Sequence, residues 1–187
     1  MVVGVLASGT GSNLAALVDA GVPVAVVVVD RNCAAEGVAA DRGVPVVVVP
    51  RGSFGADFDR VEYTERVVKA LVDAGVHLVV MAGFMTVLEQ PLFDEFDGRV
   101  LNTHPALLPA FRGAHAVRQA LVAGVKVTGC TVHVATMDLD AGPILAQAAV
   151  EVEPGDTEAT LHERIKDVER RLLPATVAEI LERGSIT

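Results

Sequence analysis

The chain is punctuated by short aliphatic runs that do not alternate with polar residues. Val2–Ala7, Val24–Val29, Val46–Val49, Val76–Met81 and Val100–Asn102 are the clearest of them. A strand with one wet face alternates apolar and polar side chains, whereas a near-continuous run belongs to a strand covered on both faces. Helical patterns separate the runs, at Asn13–Ala20, Ala34–Arg42, Asp57–Ala74, Val87–Phe96 and His115–Ala123. Gly21, Gly43, Gly75 and Gly124 stand where helices end. Strand–helix alternation of this kind predicts right-handed βαβ units.

After Gly124 the pattern changes. Lys126–Thr136 and Ile144–Glu153 read as two strands joined by the short loop Met137–Pro143, which suggests antiparallel pairing. A final helix is expected over Thr157–Arg183, capped by Asp156 or Thr157 and kinked at Pro174. The predicted fold is α/β: an open, doubly wound, mostly parallel sheet with a C-terminal antiparallel strand pair and a long last helix. With 187 residues, 51% hydrophobic and only 4% aromatic, the chain fits one domain spanning 1–187 whose core is mostly Val, Leu, Ile and Ala.

Charge and targeting narrow the function. A net charge of −9 argues against a nucleic-acid surface, which needs clustered Lys and Arg. One small phosphate ligand remains possible, because backbone N–H groups can hold it. Cys33 and Cys130 form no metal or redox spacing and read as reduced thiols. The first residues lack the basic flank of a signal peptide, and the longest apolar run, Val22–Val29, is too short to span a bilayer. A cytoplasmic protein without a membrane partner is expected.

In open α/β sheets, ligands bind beyond the carboxyl ends of the strands, where strand order reverses. Three unusual segments fall at such ends: Ser8-Gly-Thr-Gly-Ser-Asn13, Ala82-Gly-Phe-Met-Thr-Val-Leu88 and Asn102-Thr-His-Pro105. In the first, Gly9 and Gly11 allow close backbone approach, while Ser12 and Asn13 precede a helix, which together make a phosphate-sized anion site. An ordinary strand-to-helix turn explains the loop equally well. A phosphate-binding P-loop is excluded, for no Lys follows the second Gly; the dinucleotide fingerprint lacks its third Gly, where Leu14 stands. Asp30, at the end of the second strand, keeps nucleotide binding open as an alternative.

Asn102, His104 and Asp140 carry the chemistry if they converge. An amine attacking a carbonyl carbon builds negative charge on the oxygen, and an amide and an imidazole can donate hydrogen bonds to it. A carboxylate beside the imidazole can take the amine's proton, directly or through water. Taken singly, each has a plainer reading: Asp140 as a turn residue, Asn102 as a polar strand end, His104 as a hydrogen-bonded structural histidine. Their shared address at a switch point favours function. His104, His133 and Asp140 could also form a two-His, one-carboxylate metal set, but no ligand spacing supports it. His133 is expected behind the site; His77, His115 and His162 look structural.

The four segments Ser8-Gly-Thr-Gly-Ser-Asn-Leu14, Ala82-Gly-Phe-Met85, Asn102-Thr-His-Pro-Ala-Leu-Leu-Pro109 and Asp138-Leu-Asp-Ala-Gly-Pro-Ile-Leu145 resemble the signatures of glycinamide ribonucleotide formyltransferases. The likeness runs almost end to end. It implies formyl transfer from 10-formyltetrahydrofolate to the amine of glycinamide ribonucleotide, without a metal, in a monomer or homodimer. It implies that Asn102, His104 and Asp140 are catalytic, with His104 as proton donor, and that Gly11, Ser12 and Asn13 cradle the substrate phosphate while Glu169 binds its ribose. The folate would lie against Met85, Thr86, Val87 and Leu88, with Asn102, and against Thr136, Met137, Asp138, Leu139 and Asp140, Arg60 nearby. Thr86 departs from the family, many of whose members carry Arg there, as does Arg170, where His is common. A formyltetrahydrofolate hydrolase carries an added N-terminal domain, for which a first strand starting at residue 2 leaves no room; a non-catalytic nucleotide-binding module is the other alternative.

Overall fold

The computed structural model describes residues 1–52, 55 and 57–186. Among them, seven strands form one sheet in the order β3-β2-β1-β4-β5-β6-β7. They are β1 Val3–Ala7, β2 Val24–Val29, β3 Val46–Val48, β4 Leu78–Met81, β5 Val100–His104, β6 Val127–Val134 and β7 Ile144–Glu151. β1 to β5 are parallel, while β6 pairs antiparallel with both β5 and β7. The chain winds outward from β1 to β3, then returns to the other side of β1 as β4. The strand order therefore reverses between β1 and β4.

The helices among the described residues are α1 Ser12–Asp19, α2 Ala34–Ala40, α3 Arg60–Asp73, α4 Gln90–Glu95, α5 Ala116–Ala123 and α6 Glu158–Arg183. The continuous strands divide their side chains between two cores. Val3, Val5, Ala7, Leu78, Val80 and Leu101 face α1 and the end of α6 through Leu14, Leu17, Leu173 and Val177. Leu6, Val26, Val28, Val79 and Val100 face α3 and α4 through Tyr63, Val67, Leu71 and Leu92. Each such Leu stabilises the fold by roughly 1.5–3 kcal/mol relative to exposure. Gly4 belongs to this packing, since a Cβ there would sit 2.7 Å from Leu71.

Several boundaries move from their expected places, each for a local reason. α3 starts at Arg60 rather than Asp57 because Asp59 caps it, accepting from the Glu62 N–H at 2.9 Å. α4 starts at Gln90 rather than Val87, leaving 82–89 as loop. β5 runs to His104 instead of stopping at Asn102, because β6 pairs with it as far as His104↔Thr131. Thr157 caps α6, and the helix continues through Pro174 to Arg183. Gly21, Gly43, Gly75 and Gly124 all adopt the left-handed conformation expected of helix ends. No described helix is long and apolar enough to cross a membrane.

Candidate active site

Two cavities lie side by side at the carboxyl ends of β1, β4 and β5, at the point of strand reversal. The first, of about 180 Å³, is lined by Phe84–Leu88, Met81, Phe93, Asn102, His133, Ala135–Met137, Leu139 and Asp140. Its rim is apolar and open to solvent: Met85 is 66% exposed, Leu139 59% and Val87 53%. Clustered exposed apolar groups around a polar floor suit a flat, largely apolar ligand. Arg60 and Asp138 are not among its lining residues; the Arg60 guanidinium lies over the Phe58 ring at 5.6 Å.

The second cavity, of about 260 Å³, is lined by Gly9–Asn13, Ala82, Gly83, Met85, Thr103, Pro105, His162, Lys166 and Glu169. Gly11 caps α1 at φ 74°, and a Cβ on it would stand 2.8 Å from Ala35 Cα, so only glycine fits. The positive end of α1, with the N–H groups of its first turn, thus opens on the cavity. Asn13 Oδ1 is buried there without a hydrogen-bond partner among the described residues. Across the cavity, α6 presents His162, Lys166 and Glu169 at helical spacing, and Thr103 Oγ1 donates to Glu169 Oε1 at 2.5 Å. In the sequence alone His162 looks structural, and nothing marks Lys166 or Thr103. The signal that could have found the first two is the spacing of 162, 166 and 169 on one helix face.

Asn102, His104 and Asp140 meet at the wall between the cavities. Asp140 sits in the turn after β6 at φ 52°, a left-handed conformation unusual for a non-glycine residue. Its Oδ2 accepts from the Gly113 N–H at 2.8 Å and lies 3.2 Å from His104 Nδ1. Its Oδ1 lies 3.5 Å from Asn102 Nδ2 and 3.6 Å from His133 Nε2. Burial alone would push the Asp140 carboxyl up; the His133 imidazole, the Gly113 N–H and His104 outweigh it and hold the carboxyl below its ordinary value.

His104 is 5% exposed and lines neither cavity directly. Its Nε2 donates to the Phe111 carbonyl at 2.8 Å. Both ring nitrogens face acceptors, so a ring carrying two protons makes both contacts. The Phe111 tie is a backbone contact that no side-chain pattern reveals. His133, 1% exposed, donates from Nδ1 to the Val134 carbonyl at 3.1 Å, and its Nε2 lies 3.1 Å from Asn102 Nδ2 and 3.6 Å from Asp140 Oδ1. The shorter contact holds the Asn102 amide in place. Each imidazole nitrogen in the would-be metal set already has a partner.

Asp30 does not serve a ribose. Its side chain is fully buried beneath Arg31 and Thr86, both carboxylate oxygens bonded. Burial pushes this carboxyl up too, and Arg31, Thr86 and Ser8 more than reverse the effect. A carboxylate depressed on folding adds stability that is fully present above its unfolded value and is lost as pH falls through its folded value. With Asp30 and Asp140 both lowered from 3.8, folding stability should hold down to about pH 5 and decline below about pH 4. Denaturant unfolding across that range measures the decline, which should be shallower in Asp140→Asn.

The sequence matches the formyl transferase family over residues 1–177. It is 50% identical to a phosphoribosylglycinamide formyltransferase of Mycobacterium tuberculosis, over 96% of this chain and 85% of the relative. Among solved structures, glycinamide ribonucleotide transformylase 1 from Symbiobacterium toebii superposes with a TM-score of 0.87 at 42% identity, covering 94% of this chain and 84% of that one. Phosphoribosylglycinamide formyltransferase from Bacillus halodurans gives 0.89 at 35% identity, covering 99% and 97%. With the sheet order, the reversal-point cavities and the convergent amide, imidazole and carboxylate already in place, these likenesses establish that the chain belongs to the formyl transferase family, among the phosphoribosylglycinamide formyltransferases.

Proposed function

We propose that this chain, as one catalytic domain, transfers the formyl group of 10-formyltetrahydrofolate to the amine of glycinamide ribonucleotide in purine biosynthesis. The observation that carries the reading is the meeting of Asn102, His104 and Asp140 on the wall between an apolar-rimmed cavity and an anion-binding one. The pterin occupies the first cavity against Met85–Leu88, Thr136, Met137, Leu139 and Asp140. The phosphate lies on Gly11, Ser12 and Asn13, where Lys166 adds positive charge and His162 a ring nitrogen, and Glu169, held by Thr103, takes the ribose.

The amine nitrogen attacks the formyl carbon, and the carbonyl electron pair moves to oxygen. Asn102 Nδ2 and His104 Nε2, exchanging the Phe111 carbonyl for this oxygen, stabilise the charge. Asp140 takes the proton the amine loses. The oxygen pair then re-forms the carbonyl, the bond from carbon to the folate N10 breaks, and N10 takes a proton relayed from His104. No metal is required by these steps.

The test is a purified-enzyme assay with 10-formyltetrahydrofolate. Tetrahydrofolate should appear only when glycinamide ribonucleotide is present, in equal amount to formylated product. Equal turnover with water alone would instead identify a hydrolase, and tight binding without turnover a non-catalytic module. A Ser12→Ala, Asn13→Ala double variant should raise KM for glycinamide ribonucleotide tenfold or more, since about 1.4 kcal/mol of lost binding suffices. If only the folate KM moves, the anion loop is misassigned.

A further inference from the structure

One carboxylate outside the reacting centre joins the loops that follow four adjacent parallel strands. Asp30 follows β2. It accepts from Arg31 Nε at 2.9 Å and Nη2 at 3.0 Å, and from Thr86 Oγ1, in the loop after β4, at 2.7 Å. Arg51, after β3, places Nη1 3.6 Å from Asp30 Oδ2 and 3.4 Å from Thr86 Oγ1, and its N–H donates to the Asp30 carbonyl at 3.1 Å. Ser8, after β1, accepts from the Met85 N–H at 2.9 Å, and its own N–H donates to the Gly83 carbonyl at 3.2 Å.

Core packing does not explain this cluster. Taking ions out of water is costly, and a well-packed apolar group of similar volume is often at least as stable. The neighbours of Asp30 in β2 are indeed valines, buried without such help. What the cluster determines is direction. Residues 82–89 lie outside helix and strand. Backbone bonds hold their start, Ala82 N–H to the Leu6 carbonyl at 2.9 Å and Ser8 N–H to the Gly83 carbonyl, and beyond it a few anchors set their course: Met85 N–H to Ser8, Thr86 Oγ1 to Asp30, and Glu89 N–H to Thr64 Oγ1 at 3.1 Å. That segment is a wall of the first cavity. Thr86 is 1% exposed, its hydroxyl turned inward to the carboxylate, so it serves the cavity through its backbone and its anchor.

We infer that Asp30 is a positioning residue for the formyl donor: through Thr86 it fixes the Met85–Leu88 wall against which the folate binds. The inference rests on the assignment of the first cavity to the folate. Three variants test it. Thr86→Val keeps the shape and removes one hydroxyl, Thr86→Ser keeps the hydroxyl, and Asp30→Asn keeps the volume and removes the charge.

Steady-state kinetics with each substrate varied should show KM for 10-formyltetrahydrofolate raised threefold or more in Thr86→Val and Asp30→Asn. KM for glycinamide ribonucleotide and kcat should move by a smaller factor than the folate KM, and Thr86→Ser should recover most of the folate KM lost in Thr86→Val. A merely structural role would move both KM values together or leave both alone. A smaller folate effect in Thr86→Val, a joint rise of both KM values, or a Thr86→Ser variant as impaired as Thr86→Val overturns the inference. Should Asp30→Asn fail to fold, the two Thr86 variants decide it. Wild-type enzyme without formyl transfer would overturn the proposed function itself, whereas an active wild type with an unchanged Thr86→Val would overturn only this inference.

Discussion

Replacing Asp140 by Asn, or His104 by Ala, should lower kcat by a factor on the order of 10² or more, with the fold intact. The two side chains form one unit, Oδ2 to Nδ1 at 3.2 Å, in a setting almost closed to water. The amide of Asp140→Asn would keep the volume and could still accept from the Gly113 N–H, but it could neither take a proton from the amine nor balance a charged imidazole. His104→Ala would remove the proton donor and leave Asp140 with only Asn102, His133 and Gly113 around it. Because the residues act together, the double variant should fall little below either single one. Single-turnover kinetics measure this without interference from product release, and wild-type-like rates in both variants would refute these roles.

Gly142→Ala should damage the enzyme nearly as much from outside the reacting centre. A methyl at Gly142 would fall on the Val134 carbonyl oxygen and come within 3.1 Å of Thr136 Cγ2. Backbone cannot move aside as a flexible side chain does, so the turn joining β6 to β7 must shift. The expected loss of stability is about 1–3 kcal/mol. The same turn carries Asp140 in its left-handed conformation, two residues away. A displacement of about 1 Å can cost on the order of 10² in rate, so kcat should fall tenfold or more while the protein still folds. Thermal unfolding and kinetics together check this, and an unchanged kcat in Gly142→Ala would mean that the turn does not hold the carboxylate in place.

Much of this architecture is legible in the sequence because its signals are local and strong. Aliphatic runs such as Val24–Val29 read as covered strands, and their rhythm with the terminating glycines predicts the parallel sheet and the position of the site, although the same kind of run leaves Val47 and Val48 exposed in β3 at the sheet edge. The end of β5 is not legible, because Asn102-Thr-His104 looks polar in isolation and becomes strand only through pairing with His133-Val-Thr131. Thr86 looks like a ligand contact because it lies in the right loop; that its hydroxyl serves a buried carboxylate depends on the ends of β2 and β4 coming together in space. Lys166 and His162 are hidden in a charged stretch of α6, where nearly every face looks solvated until α6 packs across the glycine loop. Residue types announce the chemistry, while the partners that aim each group come from distant strands or from the backbone.

The most direct test is a crystal structure with glycinamide ribonucleotide and a stable 10-formyltetrahydrofolate analogue bound together. The glycinamide nitrogen should lie about 3–3.5 Å from the carbon that mimics the formyl group, with Asn102 Nδ2 and His104 on its oxygen, Asp140 beside the nitrogen and the phosphate on Gly11–Asn13. A folate seated away from Met85–Leu88, or an acceptor amine out of reach of Asp140, would contradict the account.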